Sequence, residues 1–189
     1  MLDKNNIAVE LLTWQKRLEN NRRNTEKVWG EIASYIRPER NCFTGKSISE
    51  VAKNIFDSTA ILASEFLVSS LWSMVSSSSN EWFNIKPKNN TLLQDSKVNN
   101  WFQSVNDIMK KDLMNVESGF YHKSYEFYSD LICFGTGIFY VGENIEGALV
   151  EYSCKNLAYC YLDYSNNSKI DIIFRKIYLL PEVAVRHFG

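Results

Sequence analysis

Apolar side chains recur every three or four residues from Ile7 to Ile36, which is the spacing of one face of an α-helix. The pattern predicts one long helix, or two nearly collinear helices, over residues 4–37. Pro38 ends this helix because proline lacks a backbone donor and disfavours helical angles in the residue before it. Residues 38–52, with a turn at Thr44-Gly45, are expected to form a loop.

A more apolar segment at residues 54–76 predicts a second helix. The residues expected on its inward face are Ile55, Leu62, Phe66 and Trp72. Four serines at positions 76–79 end the helix. An aromatic run then predicts a short strand closed by Pro87. The apolar members of that run are Trp82, Phe83 and Ile85.

The third helix has the clearest pattern in the chain, because its apolar positions hold one face over about five turns. These positions are Val98, Trp101, Phe102, Val105, Ile108, Met109, Leu113 and Val116. Asp95 or Ser96 is expected to cap its start, and Gly119 to break it. A fourth helix is predicted over residues 120–134. It is expected to bury Phe120, Phe127, Leu131 and Ile132.

After Gly135 the hydrophobic period changes to two, the period of a β-strand. Residues 138–143 and 149–153 predict a hairpin with a turn at 144–147. Strands are also expected at about 157–163 and 169–179, joined by an Asn166-Asn167 turn.

Helices followed by antiparallel strands define the α+β class. We therefore divide the chain into a helical part, residues 1–134, and a small β part, residues 135–189. Pro181 opens one more helix, and the sequence ends eight residues later at Gly189. From this ending we expect the chain to be part of a longer protein or the product of a truncated gene.

Composition narrows the functional classes. The chain has 189 residues, of which 45% are hydrophobic, enough for a core and against global disorder. Its net charge is −1, whereas a dedicated nucleic-acid binder is usually strongly basic. The four cysteines form no CxxC pair, so free thiols are expected and a zinc finger is disfavoured. Residues 54–76 are the only candidate membrane span, and Asp57 and Glu65 argue against it.

No motif for catalysis, a cofactor or a metal emerges. Gly135-Thr136-Gly137 follows a helix and precedes a strand, the reverse of a phosphate loop, so a glycine helix stop is favoured. His122 and His187 have no HxxxH companion, and the serines form no GxSxG elbow. The glutamates around the predicted hairpin are typical of a solvated surface. The chain is therefore expected to be non-enzymatic, with no cofactor and no metal.

The densest basic group lies in the first predicted helix and consists of Lys16, Arg17, Arg22 and Arg23. Such a group is usually a solvated helix face, and the functional alternative is a weak contact with DNA or an acidic partner. The aromatic residues are expected mainly in the core, with a subset at a subunit interface.

Several short signatures, read in order, resemble the podovirus-type portal proteins, the head-to-tail connecting protein family of bacteriophages. The first is RRNTEKVWGEIASYIRPER at residues 22–40. The second is Asp57-Ser58-Thr59-Ala60 with the following apolar run into Trp82-Phe83. Residues 98–134, the segment Phe134-Gly135-Thr136-Gly137 and a final Phe-Gly pair complete the match. The positions that carry it include Trp29, Pro38, Asp57, Trp82, Phe83, Gly135 and Gly137.

The resemblance implies a structural role without catalysis. Portal proteins form a ring, usually of twelve copies, at one capsid vertex of the virion, after assembly in the bacterial cytoplasm. Double-stranded DNA is packaged and ejected through the channel, and the implied partners are the capsid, the terminase and tail adaptor proteins. This chain resembles the N-terminal, wing part of such a protein, from a phage or prophage, with no membrane partner. The alternatives are a small non-viral adaptor domain that binds a protein partner, and an enzyme.

Overall fold

The computed structural model describes residues 4–53, 55–79, 81–143, 150–164 and 169–188. The chain forms two compact units. We call Met1–Asn54 with Asn156–Gly189 the terminal unit, and Ile55–Lys155 the central unit. The proposed division at residue 134 follows the order of helices and strands rather than these units, and it stays a prediction.

The terminal unit is built on one unbroken helix, α1, Lys4–Ile36. A 3₁₀ turn, Pro38–Arg40, follows it directly. The short helix α2, Ile48–Ala52, begins with a capping box in which Ser47 and Glu50 satisfy each other's backbone N–H groups. The expected loop over 38–52 is confirmed for residues 41–47 and was wrong for 48–52, where the Ser47-to-Glu50 spacing encodes a helix start.

The C-terminal part of the terminal unit supplies two strands and a helix. Strand β3, Cys160–Tyr164, pairs antiparallel with β4, Ile170–Arg175. A 3₁₀ turn, Leu157–Tyr159, occupies the start of the strand predicted at 157–163. Helix α6 is Pro181–Phe188. The predicted Asn166-Asn167 turn lies outside the described residues.

The core of the terminal unit lies where α1 meets α2 and the start of β3. Its buried apolar side chains include Leu18, Ala33, Val51, Leu157 and Tyr161. Gly30 is needed here because a Cβ on it would lie 2.8 Å from Cγ2 of Thr44.

The central unit contains helices α3, Thr59–Val75, α4, Ser96–Met114, and α5, Phe120–Phe134. Helix α5 packs against α3, α4 and an antiparallel hairpin of β1, Ile138–Glu143, and β2, Val150–Lys155. The hairpin is confirmed, and its predicted turn at 144–147 lies outside the described residues. Together with the antiparallel pair of the terminal unit, this arrangement confirms the α+β class.

Local capping fixes the ends of the central helices. A carboxylate oxygen of Asp95 accepts a hydrogen bond from the Lys97 N–H at 2.9 Å, which confirms the predicted N-cap. Gly119 and Gly135 bracket α5 with φ angles of +70° and +72°, a region that favours glycine. The Gly135 N–H donates to the Leu131 carbonyl at 2.9 Å. The glycine helix stop is thus confirmed.

The stretch 81–87 is not a strand, so that prediction was wrong. The ring of Trp82 stacks on Phe120 with centroids 5.6 Å apart, and it also contacts Phe83. The Ile85 N–H donates to the side-chain oxygen of Asn106 at 2.8 Å, and the Ile85 carbonyl accepts from the Asn106 amide at 3.0 Å. The Asn106 side chain therefore makes the backbone hydrogen bonds with Ile85 that a neighbouring strand would otherwise make.

Candidate interaction surfaces

The basic group of α1 is divided by the fold. Arg22 is turned inward, and its guanidinium donates to the carbonyls of Leu157, Ala158 and Cys160. It also pairs with Glu26 and lies 4.1 Å from the ring centroid of Tyr161. Arg22 therefore joins α1 to the segment that precedes and opens β3.

The other three members of the basic group, Lys16, Arg17 and Arg23, are exposed. Arg17 lies 3.6 Å from the Asp163 carboxylate and keeps 66% of its side chain exposed. Their predicted contact with DNA or an acidic partner stays a prediction.

Two carboxylates of the terminal unit are held by internal hydrogen bonds. Glu19 accepts from the Lys176 ammonium at 3.0 Å, and this bond holds the pKa of Glu19 below its usual range. The Tyr164 N–H, and then the Trp14 indole, lower the pKa of Asp163 in the same way. These two contacts tie β3, through Asp163, and the residue that follows β4, Lys176, to α1.

The positions that resemble the family have structural roles. Trp29 packs on Phe43 with centroids 5.6 Å apart, and Pro38 opens the 3₁₀ turn after α1. A carboxylate oxygen of Asp57 accepts from the N–H and the hydroxyl of Thr59, which lowers its pKa and fixes the start of α3. The predicted helix start at residue 54 was therefore about five residues too early.

Gly137 has a packing role beside the end of α5. A Cβ on Gly137 would lie 2.8 Å from Cδ2 of Phe127 and 3.3 Å from its carbonyl oxygen. Gly135 ends the helix, so the two glycines act together at one corner. The residues at this corner and around Trp82 pack the aromatic core of the central unit.

The outward face of α3 is apolar, and this reverses part of the predicted inward face. Leu62 is 64% exposed and Phe66 is 76% exposed, so their assignment to the core was wrong. Leu67 and Met74 are exposed beside them. We call these four residues, together with Ala63, Ser69, Ser70 and Ser73, the α3 outer face.

The inward side of α3 combines small side chains with one tryptophan. Val68 is fully buried, and the Ser64 hydroxyl lies 3.7 Å from the Cys133 thiol of α5. Trp72 is the predicted inward residue that does reach α5, where its indole donates to Ser124 at 3.1 Å. Ser64 and Val68 allow close approach of α3 to α5, whereas the four large apolar residues of the α3 outer face remain exposed.

Helix α4 presents a second outward apolar row. Trp101 is 61% exposed and Ile108 is 54% exposed, whereas both were predicted to face inward. Met109 is exposed as well, and Val116 is exposed beyond the end of α4 at Met114, so both were assigned wrongly. Leu113 and Asn106 lie on the buried side, and the Asn106 amide donates a hydrogen bond to the Ile85 carbonyl in the 81–87 stretch. We call Trp101, Ser104 and Ile108 the α4 outer face.

The fourth helix also differs in detail from its predicted burial. Phe120 is buried as expected, but Leu131 is exposed, and Phe127 and Ile132 are half-buried. The fully buried positions of α5 include Ser129 and Asp130. Asp130 accepts a hydrogen bond from the Cys154 thiol of β2 at 3.4 Å.

A wide, open surface depression of about 500 Å³ lies along α1, lined by Val9, Glu10, Thr13, Trp14 and Arg17. Among the described lining residues there is one carboxylate, one guanidinium and no histidine. Over the described ranges, no group of three or more His, Cys, Asp or Glu side chains is placed to hold a metal ion. In that same part of the chain, no helix has both the length and the apolar character needed to cross a membrane.

Polar side chains that bind within their own unit, combined with apolar helix faces turned outward, are typical of a subunit that assembles with other proteins. Comparison with known protein families gives the class directly. Residues 8–189 match a family described as bacteriophage head to tail connecting protein. The chain belongs to this family, and is therefore a structural phage protein and a component of the virion. A search of curated proteins found no match.

Proposed function

We propose that the chain is a subunit of the phage portal, a ring at one capsid vertex through which double-stranded DNA is packaged and ejected. The observation that carries the proposal is the family match, which spans nearly the whole sequence. By its resemblance to portal proteins, the ring contains about twelve copies. The capsid, the terminase and a tail adaptor are its proposed protein partners, and it assembles in the cytoplasm of the bacterial host.

The charge and the exposed apolar faces of the chain support a ring through which DNA can slide. The net charge of −1 avoids strong phosphate neutralisation, which would hold DNA instead of letting it slide. The exposed cations Lys16, Arg17 and Arg23 provide at most a local, salt-sensitive contact with DNA or an acidic partner. The exposed apolar faces of α3 and α4 fit contacts between subunits.

The test is the mass of the assembly. The protein would be expressed with its flanking coding sequence, so that any residues outside 1–189 are present, and examined by native mass spectrometry and negative-stain microscopy. We expect a closed ring with a central channel. A protein that stays monomeric at high micromolar concentration would refute the ring and favour the adaptor alternative.

A further inference from the structure

Among its described residues, the central unit has two apolar faces, on two different helices, that no other part of that unit covers. Both α3 and α4 pack against α5, so each keeps a face turned away from it. Helix α3 is strongly apolar overall, with little difference between its sides, and its one charged residue, Glu65, accepts a hydrogen bond from Tyr125 of α5. Serines share its outer face with four large, exposed apolar side chains, and a contiguous apolar patch of that size usually marks an interaction surface.

Large and small side chains alternate along both faces, in opposite order and at the same spacing. On α3 the order is small, large, small at Ala63, Phe66 and Ser70. On α4 the order is large, small, large at Trp101, Ser104 and Ile108. In both rows the steps are three and then four residues, so each row is about 10 Å long at 1.5 Å per residue.

We infer that the α3 outer face of one copy packs against the α4 outer face of the next copy. In this contact Phe66 lies over Ser104, while Trp101 and Ile108 lie over Ala63 and Ser70. The occupant of each face is thus a second copy of this chain. The inference rests on the proposed ring function and assigns the surfaces that form it.

The contact is heterologous, because it joins two different patches of the same unit. Repeating such a contact gives a closed ring if the rotation closes and an open filament if it does not. Trp101 is its expected energetic centre, since exposed tryptophans that become buried dominate many interfaces. The residues Leu62, Phe66, Leu67 and Met74 together expose apolar surface on the order of 500 Å², as large as the main functional patch of a typical monomer.

Cysteine cross-linking tests which faces meet. The parent is Cys42→Ser, because Cys42 is an exposed native thiol. Ser70→Cys and Ser104→Cys are introduced into the full-length protein, separately and together, and treated with a short bis-maleimide. The double variant should give a covalent ladder, a mixture of the two single variants should give dimers, and each single variant alone should give neither.

Two results overturn the inference while leaving the ring intact. One is dimer formation by Ser70→Cys alone, which means that α3 packs on α3. The other is an assembled protein whose double variant cross-links no better than a matched Ser49→Cys/Ser104→Cys control, in which the exposed Ser49 of α2 replaces the α3 position. Failure of the parent to assemble at all refutes the proposed function instead.

A second measurement removes the two largest side chains. Phe66→Ala and Trp101→Ala should each weaken assembly at least about 30-fold by dilution in mass photometry. Phe56→Ala is the matched aromatic control, because Phe56 is 95% exposed and lies outside both faces. Equal assembly of all three variants would overturn the assignment, and circular dichroism verifies that each variant is folded.

Discussion

Arg22 gives the sharpest test of how the terminal unit is held together, through the variant Arg22→Ala. The side chain is only 13% exposed. Its removal takes the guanidinium donor away from the Leu157, Ala158 and Cys160 carbonyls, and of these the Leu157 carbonyl keeps the Cys160 backbone N–H.

The expected cost follows from these contacts. A hydrogen bond that involves a charged group contributes about 1.5–3 kcal/mol, and removing one partner of a buried ion pair costs about 3–5 kcal/mol, of which the lower part applies here because Glu26 is 24% exposed. These contributions overlap, so we expect the terminal unit to lose about 4 kcal/mol in its free energy of unfolding, roughly a thousandfold in the opening equilibrium. Arg22→Lys keeps the charge but not the fork of donors, and should lose about half of that amount.

The assay is native-state hydrogen exchange followed by mass spectrometry. In Arg22→Ala the amides of residues 157–161 and of α1 should lose protection, while the amides of β1 and β2 serve as an internal reference. The neighbouring exposed residue gives the matched control, since Arg23→Ala should change stability by less than about 0.5 kcal/mol. A loss below about 1 kcal/mol in Arg22→Ala, equal to that of Arg23→Ala, would refute the role given to Arg22.

The remaining predictions concern three other positions. Gly137→Ala should destabilise the central unit by about 1–3 kcal/mol in urea unfolding, because the new Cβ overlaps the Phe127 ring; a neutral result would contradict the packing described. Asp95→Ala should cost about 1 kcal/mol by loss of the N-cap, and Asp95→Asn should restore most of it. Because the Lys176 hydrogen bond lowers the pKa of Glu19, its stabilisation is complete above the ordinary value of 4.5 and is lost as pH falls through the lower folded value. Glu19→Gln should therefore reduce the loss of unfolding free energy on acidification by less than about 1 kcal/mol, since Glu19 is 41% exposed. A variant that loses as much unfolding free energy in acid as the parent would argue against the pair.

Sequence alone predicts the start of α4 and both ends of α5 well, because their signals are local, whereas α4 ends at Met114, before the predicted break at Gly119. Asp95 caps one helix through its own neighbour, and Gly119 and Gly135 each adopt a backbone angle that other residues avoid. The same applies to the hairpin strands β1 and β2, which follow the predicted alternating pattern, whereas β3 begins three residues later than predicted. These features need no knowledge of distant partners.

The inward faces of the helices could not be predicted in the same way. Helix α3 is strongly apolar with little difference between its sides, so its hydrophobic pattern does not say which side packs, and close approach to α5 selects Ser64 and Val68. On α4 the buried Asn106 shifts the inward side away from Trp101, because its amide serves the irregular 81–87 stretch. Arg22 was interpreted as one of a surface group for a similar reason, since its carbonyl partners are more than 130 residues away in sequence.

The terminal unit is discontinuous, and this has a consequence for how the protein is made. Arg22 leaves the ribosome 135 residues before Leu157, whose carbonyl it binds. At about 5–20 residues per second, α1 waits on the order of ten seconds for the segment that covers it. The central unit is encoded entirely within that interval and can complete its own contacts first. A polypeptide interrupted before residue 157 keeps the part of α1 that faces β3 uncovered, which marks it for chaperones and proteases before it can compete for a place in the virion.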